Sequence, residues 1–208
     1  MLTQSNLWLA AQELASIQMQ YAKSGRTISE AALCGAKEFV EWQHYPSDDL
    51  VDEVSGYEFY YHAHSSDEMP SGEHGHFHVI KRDKDSFYHL IGIALNQQGI
   101  PVRLFTTNQW VTGEDMVDAM RVIQSLSSFE MAVKGRMAPV CRWISALIRL
   151  FFVEIEVLIL ERDQKIHHLT KEFGDRKLAL DSKENHVLTE RKIDLMGRLS
   201  ECLLDVNS

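Results

Sequence analysis

The sequence predicts an α+β protein in which a four-stranded antiparallel β-meander is packed by N-terminal and C-terminal helices. Apolar residues recur near helical spacing in residues 1–50, alternate with a period of two in residues 56–107, and return to helical spacing in residues 112–206. A chain of 208 residues, 45% of them hydrophobic, is long and apolar enough for one well-packed core. We therefore expect a single domain, residues 1–208, that contains all three zones.

The N-terminal zone is predicted to hold two helices. Apolar residues lie at helical spacing in residues 6–21, and Gly25 interrupts the pattern. Ser29 and Glu30 open a second run with the same spacing, which continues to about residue 40. Residues 45–49 include a proline, a serine and two aspartates, which are typical of a turn.

The middle zone is predicted to form the four strands. Each segment is rich in aromatic or β-branched residues and is bounded by turn residues. The predicted strands are residues 57–64, 74–81, 87–96 and 102–106. Because strands that follow one another along the chain are usually neighbours in space, this order favours an antiparallel meander.

The C-terminal zone is predicted to be helical and largely buried. Thr112 or Gly113 is positioned to cap a helix whose first turn carries Glu114 and Asp115, since acidic residues are favourable at the positive end of the helix dipole. The most apolar stretch, residues 140–160, contains two arginines and two glutamates. Charged side chains are costly in lipid, so this stretch is predicted to be a core helix or a subunit interface rather than a membrane span. The second alternative allows a homo-oligomer.

The composition excludes several classes of partner and site. The formal net charge is −9 and the basic residues form no dense stripe, so we expect neither nucleic acid nor a membrane surface as a partner. The three cysteines form no Cys-x-x-Cys pair, which argues against a disulfide framework or a zinc–thiolate site. The first residues lack the pattern of a signal peptide. We expect a cytoplasmic protein whose partner is a small-molecule substrate or a metal ion.

Five of the ten histidines lie at alternating positions in the first two predicted strands. His62 and His64 share one face of the first strand, because successive side chains of a strand point to opposite faces. The same spacing places His74, His76 and His78 on one face of the second strand. A symmetric antiparallel hairpin would bring His64 opposite His74 and His62 opposite His76. Cross-strand Cβ atoms would then lie about 4.5–5.5 Å apart.

This spacing predicts a mononuclear metal site on the hairpin, held by some or all of His62, His64, His74, His76 and His78. Several histidines without a thiolate suit iron, copper or zinc, and disfavour magnesium or calcium. Haem with axial histidine ligands is a further candidate cofactor. Three histidine ligands would leave a coordination position open, as in catalytic metal sites.

Other residues near the cluster are candidates for catalysis. Glu73 is a candidate general base or orienting group, and Tyr60 is a candidate hydrogen-bond donor to a bound substrate. Arg103 is positioned to bind a carboxylate or phosphate through two hydrogen bonds. His89 is either a core residue or a sixth member of the cluster. Further carboxylates close in sequence are Glu58, Asp67 and Glu68.

Two short segments resemble motifs of known families. Residues 56–75, with the spacing Gly-x5-His-x-His-x3-Glu-x6-Gly, resemble the first cupin motif, which implies that His62, His64 and Glu68 bind a metal on a β-barrel. The second cupin motif is not found downstream. The second run of alternating histidines is similar to the triad of the histidine-triad nucleotide hydrolases, which implies that His76 is a nucleophile.

A longer set of segments resembles one uncharacterised bacterial family, a domain of unknown function. The segments are YYHAH at 60–64, GEHGHFH at 72–78, HLI at 89–91, RLFTTNQWVTGE at 103–114 and TERKIDL at 189–195. This resemblance supports a single domain and implies no reaction.

Three functional hypotheses follow from the sequence. The first is a metal-dependent enzyme, either an oxygenase-type iron or copper protein or a zinc or manganese hydrolase or lyase. The second is a metal or haem carrier or sensor without turnover. The third has no metal: the histidines form a face that responds to pH between about 5 and 7, and the C-terminal zone binds a partner.

Overall fold

The computed structural model describes residues 3–36, 38, 40–64, 70–84 and 86–204. Within these residues the chain forms eight α-helices and six β-strands. The helices are α1 (Gln4–Lys23), α2 (Ile28–Ala32), α3 (Gln109–Thr112), α4 (Ala119–Ser127), α5 (Ala138–Leu150), α6 (Phe152–Phe173), α7 (Arg176–Leu180) and α8 (Leu195–Leu204). The strands are β1 (Tyr45–Asp52), β2 (Tyr57–His62), β3 (Gly75–Asp83), β4 (Ser86–Leu95), β5 (Pro101–Thr107) and β6 (Val187–Lys192).

The described strands form one antiparallel sheet in the order β1-β2-β3-β4-β5-β6. The predicted α+β class and antiparallel meander are confirmed, with helices at both ends of the chain. The predicted number of strands is wrong, because six strands are present and only β2 to β5 were expected. One additional strand lies at each edge of the sheet.

Strand β1 occupies a segment predicted as a helical zone that ends in a turn. Its proline and aspartates favour turns, but β1 lies at the sheet edge, where a residue without an N–H group is tolerated. Its pairing with β2 is irregular: Tyr45 lies opposite Tyr61, and Leu50 lies opposite Phe59. Five steps along β1 thus match two along β2, and such an irregularity hides the period-two pattern from the sequence.

Strand β6 lies in the zone predicted to be helical throughout. It pairs with β5, so that Arg103 lies opposite Lys192 and Thr106 opposite Thr189. The intervening chain forms α3 to α7. The charged sequence of β6 has no strong alternation of its own, and its conformation depends on a partner far away in the chain.

Three helix boundaries also differ from the prediction. Helix α2 ends at Ala32, although helical spacing was expected to continue to about residue 40. Helix α4 starts at Ala119 after the N-cap Asp118, so Glu114 lies before the helix and not in its first turn. The apolar stretch 140–160 is divided between α5 and α6 at Phe151. Among the described residues, no helix combines the length and the apolar composition that crossing a membrane requires.

Helices pack against one face of the sheet, which we call the helix-covered face. Phe59 and Phe77 point into this core, where their rings meet edge to face with centroids 5.5 Å apart. Trp143 of α5 packs on Phe77 and is fully buried. Because side chains alternate along each strand, the residues between these core positions point to the opposite face.

Candidate metal centre

The opposite face of the sheet, which we call the histidine face, carries most of the predicted cluster. The residues of β2 and β3 on this face are Tyr60, His62, His76 and His78. His64, just beyond the end of β2, lies beside them. His62 lies directly opposite His76, which confirms the predicted register of the hairpin. Phe105 of β5 also lies on this face, with its ring centroid 5.2 Å from that of His76.

Three of these histidines form a group that could hold a metal ion. One ring nitrogen from each of His62, His76 and His78 lies within 4.8 Å of the other two. The three side chains are buried, and the Nε2 atoms of His62 and His76 are 2.7 Å apart. Three nitrogens at about 2.0–2.1 Å from a tetrahedral ion would lie about 3.3–3.4 Å from one another. The two Nε2 atoms of His62 and His76 would therefore move slightly apart on binding an ion.

The triad contains nitrogen atoms that the protein leaves unsatisfied. Nδ1 of His76 and Nε2 of His78 are buried and have no hydrogen-bond partner among the described residues. A buried polar atom without a partner is unusual in a native protein and commonly marks a site for an ion or ligand. The donor set therefore fits a transition metal ion, which prefers imidazole nitrogen and would provide the missing interaction at Nε2 of His78.

The electrostatics of the triad favour the neutral form that ligation requires. Burial, together with the nearby His64 and His44, lowers the pKa of His62 to about 3. Burial holds the pKa values of His76 and His78 well below the usual value, and neighbouring histidines add to the effect. Protons therefore compete weakly with a metal ion for these nitrogens.

His74 does not lie on the histidine face. Its Nδ1 atom lies 2.8 Å from the hydroxyl of Tyr61, and the two rings are stacked. The prediction assumed that strand alternation continues through His74, but β3 begins at Gly75. Because His74 precedes the strand, its side chain is directed by the turn and joins a residue on the helix-covered face.

His64 lies beside the triad and outside it. Its ring centroid is 5.2 Å from that of His76 and 5.0 Å from that of His62. Trp42 packs on the other side of the ring, with the centroids 4.1 Å apart. His64 is half-buried and lines the cavity described below, so it stays close to any ion in the triad.

Two histidines outside the predicted hairpin also join the histidine face. Nε2 of His89 lies 3.0 Å from Nδ1 of His78, and His89 is fully buried. Regular alternation would place His89 on the same face as Ile91, but the register with β3 shifts between Val79 and Ile80. This bulge turns His89 to the histidine face.

The second of these histidines is His44, just before β1. Its ring stacks on Tyr60 with the centroids 3.7 Å apart, and its Nδ1 atom lies 3.0 Å from Oδ1 of Asp49. The sequence offered no signal for His44, because its position depends on the irregular strand that follows.

A cavity of about 440 Å³ opens beside the triad. His76 and His78 form part of its wall, with Arg103, Phe105 and Thr107 of β5. The other side is lined in part by Val187 to Glu190 of β6, a strand that the sequence did not predict. The triad therefore faces a space that can hold a small molecule.

Two predicted catalytic residues bind each other. Nε and Nη2 of Arg103 donate to the two carboxylate oxygens of Glu73 over 2.6 and 2.8 Å, and Nη1 donates to Glu190 over 2.8 Å. The predicted two-bond contact to a carboxylate is thus made within the protein. Arg103 also lies over the Phe105 ring, 4.7 Å from its centroid, and so fixes one wall of the cavity.

The remaining candidates differ in their surroundings. Tyr60 lies on the histidine face, 5.0 Å from His78 between ring centroids, and burial raises the pKa of its hydroxyl well above the usual value. Glu58 is buried and forms an ion pair with Arg82. Asp67 and Glu68, the second of which is the carboxylate of the cupin-like motif, lie outside the described residues.

Comparison with known proteins identifies one family. No curated protein and no solved structure gives a significant match. One family model, described as a domain of unknown function (DUF6969), matches residues 8–193. The match spans the sheet and the histidine face, and confirms the predicted resemblance to an uncharacterised domain family. The chain belongs to the DUF6969 family.

Proposed function

We propose that this protein is a metal-dependent enzyme with a mononuclear centre held by His62, His76 and His78. The observation that carries the proposal is a buried triad of neutral imidazoles, two of which, His76 and His78, line a cavity and each have an unsatisfied nitrogen. Burying such atoms costs free energy unless a ligand compensates for it. A metal ion bound by three histidines would retain at least one coordination position for a substrate or a water molecule.

The cavity favours an enzyme over a carrier. The alternative is a metal or haem carrier without turnover. An ion whose coordination positions are all filled by protein groups would support that alternative. Here His76 and His78 line a space of about 440 Å³, enough for a small organic molecule beside the ion. His64 at the same wall could act as a further ligand or contact a bound substrate.

The donor set limits the metal and the reaction. Three nitrogen ligands without thiolate suit iron, copper or zinc, which leaves an oxygenase-type reaction or hydrolysis or elimination as the candidate chemistries. When bound, the ion would supply Lewis acidity, or electron transfer if it is iron or copper. The histidines carry no charge to offset a divalent cation, and Arg103 is offset by Glu73 and Glu190. A negatively charged oxygen ligand in the cavity would therefore be favoured.

Metal content is the first test of the proposal. Tag-free protein purified without chelators is analysed by plasma mass spectrometry and titrated with Co²⁺ while its visible absorption is recorded. We expect close to one ion per chain, with loss of binding in His76→Ala and His78→Ala. The proposal would be overturned by protein that is metal-free as purified and does not bind added Co²⁺.

Two further variants make this test specific. His168→Ala removes an exposed histidine of α6 and should leave the metal content unchanged. His76→Asn and His78→Asn retain a polar side chain, and circular dichroism would show that the fold persists. Full metal occupancy in a folded His76 or His78 variant would show that the triad is not the ligand set.

A further inference from the structure

A second pair of buried polar groups lies next to the cavity. Oε2 of Glu114 and Oγ1 of Thr107 have no hydrogen-bond partner among the described residues. Both residues are only 2% exposed. Glu114 stands on the segment between α3 and α4, and Thr107 is the last residue of β5. Neither group belongs to the histidine triad.

A buried carboxylate with a structural role has a different environment. Asp52 accepts hydrogen bonds from the backbone N–H groups of Val54 and Ala132 over 3.1 and 3.0 Å. Although burial opposes ionisation, these and neighbouring hydrogen bonds lower the pKa of Asp52. At Glu114 burial is the dominant effect: it raises the pKa to about 8, although the backbone N–H of Glu114 itself acts in the opposite direction. It is the kind of acid that can hold and release a proton near neutral pH.

The groups that surround Glu114 come from several elements. Arg162 of α6 and the hydroxyl of Thr107 oppose the rise in the pKa of Glu114. The guanidinium of Arg162 is already bound to Asp163 and to the backbone oxygen of Val117. Tyr60 of β2 is also close, because the charge of Glu114 contributes to the raised pKa of the tyrosine. Arg162 therefore does not form a dedicated ion pair with Glu114.

Thr107 connects this acid with the metal centre. Its side chain lines the same cavity as His76 and His78, and its hydroxyl is near enough to Glu114 to lower the pKa of that carboxyl group. A hydroxyl group can accept one proton and donate another at the same time. Thr107 is therefore placed to pass a proton between the buried carboxyl group and the cavity.

We propose that Glu114 and Thr107 form a proton relay that serves the cavity beside the histidine triad. The carboxyl group donates its proton to Oγ1 of Thr107, and Thr107 donates its own hydroxyl proton to an oxygen or nitrogen acceptor in the cavity. Thr107 remains a neutral hydroxyl, Glu114 becomes a carboxylate, and one proton has moved without electron transfer. This role rests on the proposed metal-dependent function.

The relay can be tested without a known substrate. Protein labelled with ¹³C at glutamate carboxyl carbons is titrated by NMR, first without metal and then with Zn²⁺. We expect one glutamate to titrate near pH 8, and its signal to be absent in Glu114→Gln. Zn²⁺ should lower the midpoint by about one pH unit or more, because a nearby cation stabilises the carboxylate.

Substitutions of Thr107 test the second group of the relay. Thr107→Val keeps the shape of the side chain but removes the hydroxyl, so the midpoint should rise by about one pH unit. Thr107→Ser should restore it. Asp115→Asn, which changes the exposed neighbour of Glu114, should leave the midpoint unchanged.

Each unexpected outcome has a distinct meaning. The relay would be overturned if the Glu114 carboxyl group is already ionised at about pH 6. It would also be overturned if Thr107→Val does not move the midpoint of that titration. A midpoint that bound Zn²⁺ does not move would show that the pair does not serve the metal centre. Failure to bind Zn²⁺ at all would refute the proposed function, and the metal-free titrations would still decide whether Glu114 and Thr107 are coupled.

Discussion

The two faces of the sheet are buried to a similar extent but satisfy their polar groups differently. On the helix-covered face, the hydroxyl of Tyr57 donates to the backbone oxygen of Ser125 over 2.7 Å, and the indole N–H of Trp143 donates to Gln18 over 2.9 Å. On the histidine face, His76 and His78 each retain a buried nitrogen without a partner among the described residues.

This difference shows what each face contributes. The helix-covered face stabilises the fold, because apolar burial is favourable and its polar atoms are paired. The histidine face costs stability, because buried imidazoles lose hydration and part of their hydrogen bonding. Proteins commonly retain such a cost where the same groups are needed for function. Four predictions test this division, from the largest expected effect to the smallest.

Acid should destabilise the metal-free protein through the histidine face. The pKa values of His62 and His89 are lowered to about 3 from 6.5, so the folded state binds fewer protons than the unfolded chain between these values. The free energy of unfolding should therefore fall as the pH falls from about 6.5 towards 3. Each such histidine contributes up to about 1.4 kcal/mol per pH unit. His76 and His78, whose pKa values are also lowered, make the slope steeper.

Urea unfolding at several pH values measures this slope. His62→Phe should make it shallower by about 1.4 kcal/mol per pH unit, whereas His168→Asn, on the exposed side of α6, should not change it. An unchanged slope in His62→Phe would mean that His62 is protonated in the folded protein. The lowered pKa values also argue against a histidine face that switches between about pH 5 and 7.

Truncation of the helix-covered face should affect stability alone. Trp143→Ala removes a fully buried indole packed on Phe77 and should lower the free energy of unfolding by about 3–5 kcal/mol. Denaturant unfolding measures the loss, and Co²⁺ affinity is measured under conditions where the variant is folded. An affinity reduced more than about tenfold would show that the two faces are not independent.

Loss of the histidine behind the triad should affect metal binding more than stability. His89→Leu removes the group that holds Nδ1 of His78, so His78 loses its fixed ring orientation. We expect the metal affinity to fall by about 10–100-fold, as for other groups that orient ligands. Competition with a chelator measures the affinity. Unchanged affinity would show that His89 does not orient His78, and His89→Gln should recover part of any loss.

The smallest effect is expected at His74. His74→Ala removes the contact with the Tyr61 hydroxyl and should lower the free energy of unfolding by about 0.5–1.5 kcal/mol. Metal affinity should not change, because the ring lies away from the triad. A loss of metal comparable to that in His76→Ala would return His74 to the ligand set.

Local periodicity predicted the part of the site that regular strands form. His62 lies opposite His76 because alternation and hairpin symmetry hold throughout β2 and β3. The predicted strand face was wrong for His74, where the strand has not yet begun. The face of His89 was left open, since a bulge changes it. Strand ends and bulges interrupt the alternation of side chains, and the sequence pattern does not show where these interruptions lie.

The sequence by itself determined the α+β class, the four central strands and the concentration of histidines on one side of a hairpin. These features depend on residues close together in the chain. The tertiary structure decided the edge strands β1 and β6, the pairing of Glu73 with Arg103, and the position of Thr107 in the cavity wall near Glu114. Those features depend on pairing and burial between distant segments, because β6 becomes a strand only where β5 offers it an open edge.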